Sequence, residues 1–152
     1  MQIGVIGAGT CSSEIASLAY DVGRLLAVNG AVLVCGGLGG VMHHAAQGAC
    51  EAGGLTVGIL PGFDPVDANP FITVAIPTGM SHARNIIVVR SCRAVIAVDG
   101  SYGTLSEIAF ALKLGIPVIG LKTWDVCPAI IKAATASEAV TKALSSIHKG
   151  NH

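Results

Sequence analysis

The sequence predicts an α/β fold, a Rossmann-like doubly wound parallel sheet of six or seven strands with helices on both faces. Two observations lead there. Short runs that are apolar at nearly every position alternate with helix-length segments, and strands apolar on both sides belong to a parallel sheet covered on both faces. Glycine-rich turns stand at Gly7-Ala8-Gly9-Thr10, Gly36-Gly37-Leu38-Gly39-Gly40 and Gly100-Ser101-Tyr102-Gly103-Thr104, each after such a run and before a helical one. In a parallel sheet all strand-to-helix turns share one edge, so these stretches should gather around a crevice of N–H groups and positive helix ends.

Seven runs supply the strands: Ile3 to Ile6, Ala31 to Cys35, Leu55 to Leu60, Ile72 to Ile76, Ala94 to Val98, Val118 to Leu121 and, more faintly, Ala129 to Ala133. The first helix carries Ile15, Leu18, Ala19, Val22, Leu25 and Leu26 at helical spacing, and Gly30 stops it. The second runs from Val41 to Ala52 and closes at Gly53-Gly54. The segment from Ser81 to Cys92 is a third helix, whose consecutive Ile86, Ile87, Val88 and Val89 make it apolar nearly all round. It must be covered on more than one side, which places it at a dimer interface. Leu105, Ile108, Ala109 and Leu112 mark a fourth helix, ended by Gly115 and Pro117; Thr135 and Glu138 have capping-box spacing and open a last one through Ile147. Right-handed crossovers then give the strand order 3-2-1-4-5-6, with a seventh strand beyond. The connection from Pro61 to Pro70 reads equally as a lid or as a plain surface loop.

The 152 residues suit one domain over 1–148 with a frayed tail over 149–152, long enough to bury roughly two thirds of the surface the unfolded chain exposes. Nine basic and nine acidic side chains cancel, charged residues make up only 12%, and mean hydropathy is +0.70. So few charges on a small domain imply an apolar interface between copies, hence a homodimer or tetramer. Balanced charge leaves no electrostatic footprint for nucleic acid, and no apolar stretch is long enough to span a bilayer. A cytoplasmic location follows by default. The five cysteines lack C-x-x-C spacing and sit mostly among small apolar residues as reduced structural thiols. Cys11 stands apart, because the start of a helix would lower its thiol pKa.

The first glycine turn, Gly7-x-Gly9-x-x-Ser12, resembles a dinucleotide fingerprint, but Val34-Cys35-Gly36 occupies the place of the ribose-binding carboxylate. This disfavours an NAD dehydrogenase. The second turn has more glycines than a turn requires, which suggests close approach of backbone to a ligand, and it lacks the Gly-Lys-Ser/Thr ending of a nucleotide hydrolase. In the third, Thr104 and Glu107 have capping-box spacing, so Glu107 reads either as a cap or as a functional carboxylate facing Arg84 of the preceding helix. His43, His44 and His82 lack the partners of a metal site. Tyr102 suits either base stacking or an exposed turn, and Trp124 suits packing.

Taken in order, Gly36-Gly37 through Met42, Gly79-Met80-Ser81-His82-Ala83-Arg84-Asn85 and Gly103-Thr104-Leu105-Ser106-Glu107 resemble the LONELY GUY family. Its members, long labelled possible lysine decarboxylases, are phosphoribohydrolases that release a base from its nucleoside 5′-monophosphate. The resemblance implies Arg84 and Glu107 as catalytic residues. It implies a phosphate and nucleotide site at Gly7, Gly9, Thr10, Gly36, Gly37, Gly39, Gly40, Met80, Gly100, Ser101, Tyr102, Gly103 and Thr104, with no metal and no required cofactor. Asp99, Ser101 and Asn85 depart from the family pattern and are similar to a sister branch that includes the molybdenum-cofactor carrier protein. A small phosphorylated ligand, either a nucleotide or a molybdopterin-type group, is the implied partner. A decarboxylase activity has no support, since no motif marks Lys113 or Lys122 as a Schiff-base lysine.

Overall fold

The computed structural model describes residues 1–148; the expected frayed tail lies outside them. The described chain forms β1 (Gln2–Gly7), α1 (Ser13–Val28), β2 (Val32–Cys35), α2 (Val41–Glu51), β3 (Thr56–Leu60), β4 (Val74–Pro77), α3 (Arg84–Arg90), β5 (Ala94–Val98), α4 (Tyr102–Lys113), β6 (Val118–Leu121), β7 (Ile131–Ala133) and α5 (Ala136–His148). All seven strands are parallel. Alternate strand residues feed two apolar layers: Ile3, Val5, Leu33 and Ile96 pack under α1, α2 and α5, while Ile6, Val34, Val95 and Ala97 pack under α3 and α4. The doubly wound fold is as the apolar runs require.

The sheet order is β4-β3-β2-β1-β5-β6-β7, which corrects the expected 3-2-1-4-5-6 at one place. The fourth run lies at the outer edge beside β3, and the fifth takes the central place next to β1. Burial gives the reason: every residue of Ala94–Val98 is buried, whereas Val74 and Ile76 stay 41% and 42% exposed. Pro77, which donates no backbone hydrogen bond, closes β4 where an edge tolerates it. The chain winds outward from β1 to β4, returns, and winds the other way from β5 to β7. The reversal point therefore lies between β1 and β5, where open α/β sheets bind ligands.

Local chemistry sets the helix starts that matter. Ser12 caps α1 by accepting from the Ile15 N–H at 3.3 Å. Thr135 accepts from the Glu138 N–H at 3.1 Å as the predicted box requires, while the Glu138 carboxylate accepts from the N–H of Ala134 at 2.8 Å, one residue before the expected Thr135. The helix expected from Ser81 opens as one 3-10 turn, Ser81–Ala83, and becomes α-helical at Arg84. Val88 and Val89 are buried in the chain's own core, leaving Ile86 and Ile87 half-buried. Pro61 to Pro70 is pinned down: Asn69 donates its side-chain amide to the Leu38 carbonyl and its backbone N–H to the Gly37 carbonyl, both at 2.9 Å. No helix of the described residues is long and apolar enough to cross a membrane.

Candidate functional site

A cavity of about 180 Å³ opens at the β1–β5 reversal, lined by Val5, Ile6, Gly7, Gly9, Gly36, Met42, His82, Arg84, Asn85, Ser101, Gly103, Thr104 and Glu107. Both charged residues singled out from the sequence meet there. Arg84, the first residue of α3, is only 7% exposed. Its Nη1 donates to the Asn85 side-chain oxygen and its Nη2 to the Gly36 carbonyl at 3.4 Å. Among the described residues, the Nε is buried without any hydrogen-bond partner. A desolvated cation at the positive end of a helix, with a donor left over, is an unfavourable arrangement on its own. An anion in the cavity would resolve it. Burial pulls the Arg84 pKa down, while the nearby Glu107 opposes that shift.

Glu107, in the second turn of α4, is 6% exposed. Burial pushes its carboxyl up to about 7, against the opposing charge of Arg84. No direct ion pair joins the two among the described residues. The capping reading of Glu107 does not hold, because α4 starts one turn earlier than expected. Ser101 is the N-cap, and the Thr104 hydroxyl accepts from the Ser101 N–H at 3.3 Å. Glu107 therefore has no terminal N–H to satisfy and is left facing the cavity.

Between Arg84 and the start of α4 runs a polar bridge, of which only Asn85 stands out in the sequence, as a departure from the family pattern. Asn85 donates through Nδ2 to Ser106 Oγ at 3.2 Å, and Ser106 donates to the Gly103 carbonyl at 2.6 Å. The chain of contacts Arg84–Asn85–Ser106–Gly103 fixes the guanidinium relative to the start of α4. The first N–H groups of α4, at Tyr102 and Gly103, have no carbonyl partner within the helix.

The three glycine turns do converge, but most of their glycines serve one another. A Cβ on Gly40, at φ +61°, would lie 2.2 Å from the Ala8 carbonyl oxygen, and one on Gly39 would lie 3.0 Å from that of Gly9. The Val41 N–H closes the same contact by donating to Ala8 O at 3.0 Å. Gly37 packs on Leu60, so only Gly36 of the second turn reaches the cavity, where a Cβ would meet Arg84 and Met42 at 2.7 Å. Loop-to-loop packing, more than ligand approach, explains that run. Of the site residues expected from sequence, Gly7, Gly9, Gly36, Arg84, Ser101, Gly103, Thr104 and Glu107 line the cavity; Thr10, Gly37, Gly39, Gly40, Met80, Gly100 and Tyr102 do not. Gly100 instead packs on Thr104, and Met80 is 46% exposed. Tyr102 lies stacked on Trp124 with centroids 6.0 Å apart, and Trp124 donates to the Ser101 carbonyl at 3.1 Å.

Asp99, one of the three departures from the family pattern, is absent from the lining. Its charge acts on Cys11, whose thiol is raised first by burial and then by Asp99. That reverses the lowering expected from the helix start. His82 lines the cavity, whereas His43 packs edge-on against Phe71. Among the described residues, no group of three or more His, Cys, Asp or Glu is placed to hold a metal.

Residues 1–149 match the SLOG cluster4 family. The chain belongs to that family. It is 51% identical over 146 residues to an uncharacterized protein of Archaeoglobus fulgidus, covering 96% of each chain. Among solved structures, this SLOG chain is similar to the molybdenum cofactor binding protein of Rippkaea orientalis, with 39% identity, 96% of both chains covered and a TM-score of 0.91. It is also similar to the molybdenum cofactor carrier protein of Chlamydomonas reinhardtii, with 32% identity, 97% and 98% of the two chains covered and a TM-score of 0.87. These relatives bear out the resemblance read from the motifs, to the LONELY GUY-like superfamily in the branch of the molybdenum-cofactor carrier.

Proposed function

We propose that this protein is a carrier of a phosphorylated pterin of the molybdenum-cofactor type, held by its phosphate in the β1–β5 cavity. The observation that carries the reading is Arg84 Nε, a buried donor without a partner in a glycine-lined cavity. A phosphate oxygen supplies the missing acceptor, and the free N–H groups at the start of α4 supply further donors. The likeness to two molybdenum-cofactor proteins over nearly the whole chain supports the same cargo. The fit is one of charge and donor set: the cavity offers a fixed cation and small backbone walls.

Protein purified from its native cells, denatured and oxidised, is expected to release a fluorescent pterin, and Arg84→Ala protein to release none. A nucleotide in place of the pterin, or pterin retained by the variant, would contradict the proposal.

A second reading rests on Glu107. A buried carboxyl near neutrality across the cavity from a guanidinium suits stabilisation of an oxocarbenium-like sugar and activation of water, that is, N-glycosidic hydrolysis of a nucleoside 5′-monophosphate to free base and ribose 5-phosphate. Incubation with AMP separates the two: release of adenine, abolished in Glu107→Gln, would establish the hydrolase, and the carrier proposal expects none. The proposal also includes a homodimer or tetramer, supported by the exposed Phe63 and Val66 and by half-buried Ile86 and Ile87. Sedimentation equilibrium at working concentration checks it.

A further inference from the structure

We infer that Glu107 decides the charge state the cavity accepts, so that a dianionic phosphate monoester is bound together with one proton taken up by the Glu107 carboxyl. The inference rests on the anion site proposed above and adds a residue with a defined role to it. Glu107 shares the cavity with Arg84, is almost wholly buried, and has the Arg84 charge acting on it. With its carboxylate ionised, the cavity's positive and negative charges cancel, and its pull on an anion is cut back to that of its hydrogen-bond donors. Protonated, the same group removes the negative charge and gains an O–H that can donate to a phosphate oxygen. Two buried like charges a few ångströms apart repel by several kcal/mol at the effective dielectric of a protein interior. An arriving dianion therefore drives the carboxyl to its acid form.

The other groups around Glu107 do not perform this function. Arg84 stays charged throughout. Cys35 from β2 and Cys92, just beyond α3, both feel the charge of Glu107, but burial holds each thiol up at about 12. His82 is the one other titratable group lining the cavity. Unlike Glu107, it is exposed. The carboxyl itself starts from about 7, close enough to neutrality for a small push to matter.

Titration calorimetry with AMP at about pH 8, where a phosphate monoester is already dianionic, in buffers of different ionisation enthalpy counts the protons directly. The wild-type protein is expected to take up close to one proton per AMP bound, with affinity falling about tenfold per pH unit above neutrality. Glu107→Gln should take up none and lose the pH slope, while His82→Gln keeps both. Binding without proton uptake, or uptake that persists in Glu107→Gln and disappears in His82→Gln, overturns this inference alone. No binding of AMP or inorganic phosphate by wild-type protein overturns the anion site itself. The wild-type proton count stands even if a variant fails to fold.

Discussion

Two cavities open at the same edge of the sheet, and they treat charge in opposite ways. The one between β1 and β5 buries Arg84 and Glu107 and, among the described residues, leaves Arg84 Nε without a hydrogen-bond partner. Its larger neighbour, about 240 Å³ at the ends of β6 and β7, is lined by Lys122, Trp124, Asp125 and Lys132. There Lys122 pairs with Glu14, and Lys132 pairs with Asp125 at 2.6 Å, all four side chains lying in water. Volume and shared position do not separate the two. Unsatisfied, desolvated charge does, because folding tolerates it only where something else gains from it.

The sharpest way to break this contrast is to remove one charge from each cavity. Arg84→Ala should weaken phosphate-ligand binding about a thousandfold, roughly 4 kcal/mol, as expected when one partner of a buried charge pair is truncated. Equilibrium binding of the pterin or of AMP reads it. Retained affinity would move the site elsewhere.

The pH dependence of stability separates the cavities next. Glu107 ionises at about 7 in the folded chain against 4.5 when unexposed to that environment, so between those values the native state holds a proton that the unfolded state has released. Stability then falls as pH rises from 4.5 to about 7 and levels off above, a loss of about 3 kcal/mol that Glu107→Gln abolishes. Urea midpoints of both proteins across that range check it. Glu14 runs the other way: its hydrogen bond to Lys122 lowers its pKa, so whatever it contributes is present at neutral pH and lost as pH falls.

A smaller effect sharpens the role of one glycine. The nearest atoms to the Cβ of Gly36→Ala belong to the side-chain ends of Arg84 and Met42 and not to backbone, so the fold should survive while displaced Arg84 costs about tenfold in affinity, near 1.4 kcal/mol. Thermal melts alongside binding assays distinguish the two losses. Smallest of all, Lys122→Ala and Lys132→Ala should each change stability by no more than about 0.5 kcal/mol and leave ligand affinity within twofold, as exposed ion pairs contribute little. A large binding loss in either would place the ligand in the second cavity.

The parallel sheet was legible because buried strands are apolar on both faces, and Ala94–Val98 shows this as plainly in the sequence as in the structure. The place of β4 was not, since the run from Ile72 to Ile76 looks just as apolar although Val74 and Ile76 remain partly in water. Arg84 and Glu107 were legible through the family motifs and the logic of strand-end turns. What sequence could not separate was glycine used for a ligand from glycine used for packing: Gly36 faces the cavity, whereas Gly40 faces the Ala8 carbonyl. The start of α4 was misplaced because Thr104 followed by Glu107 has the spacing of a cap. The earlier Ser101, two residues past a strained Asp99 at φ +51°, takes that role. Asn85 and Ser106 were the residues to look for once an arginine was placed at the buried start of a short helix, where its guanidinium needs acceptors.

The most direct test is a crystal structure of the protein grown with inorganic phosphate. The account predicts an oxyanion in the β1–β5 cavity with an oxygen about 3 Å from Arg84 Nε. An empty cavity with Arg84 Nε bonded to Glu107, or phosphate bound only at Lys122 and Lys132, would contradict it.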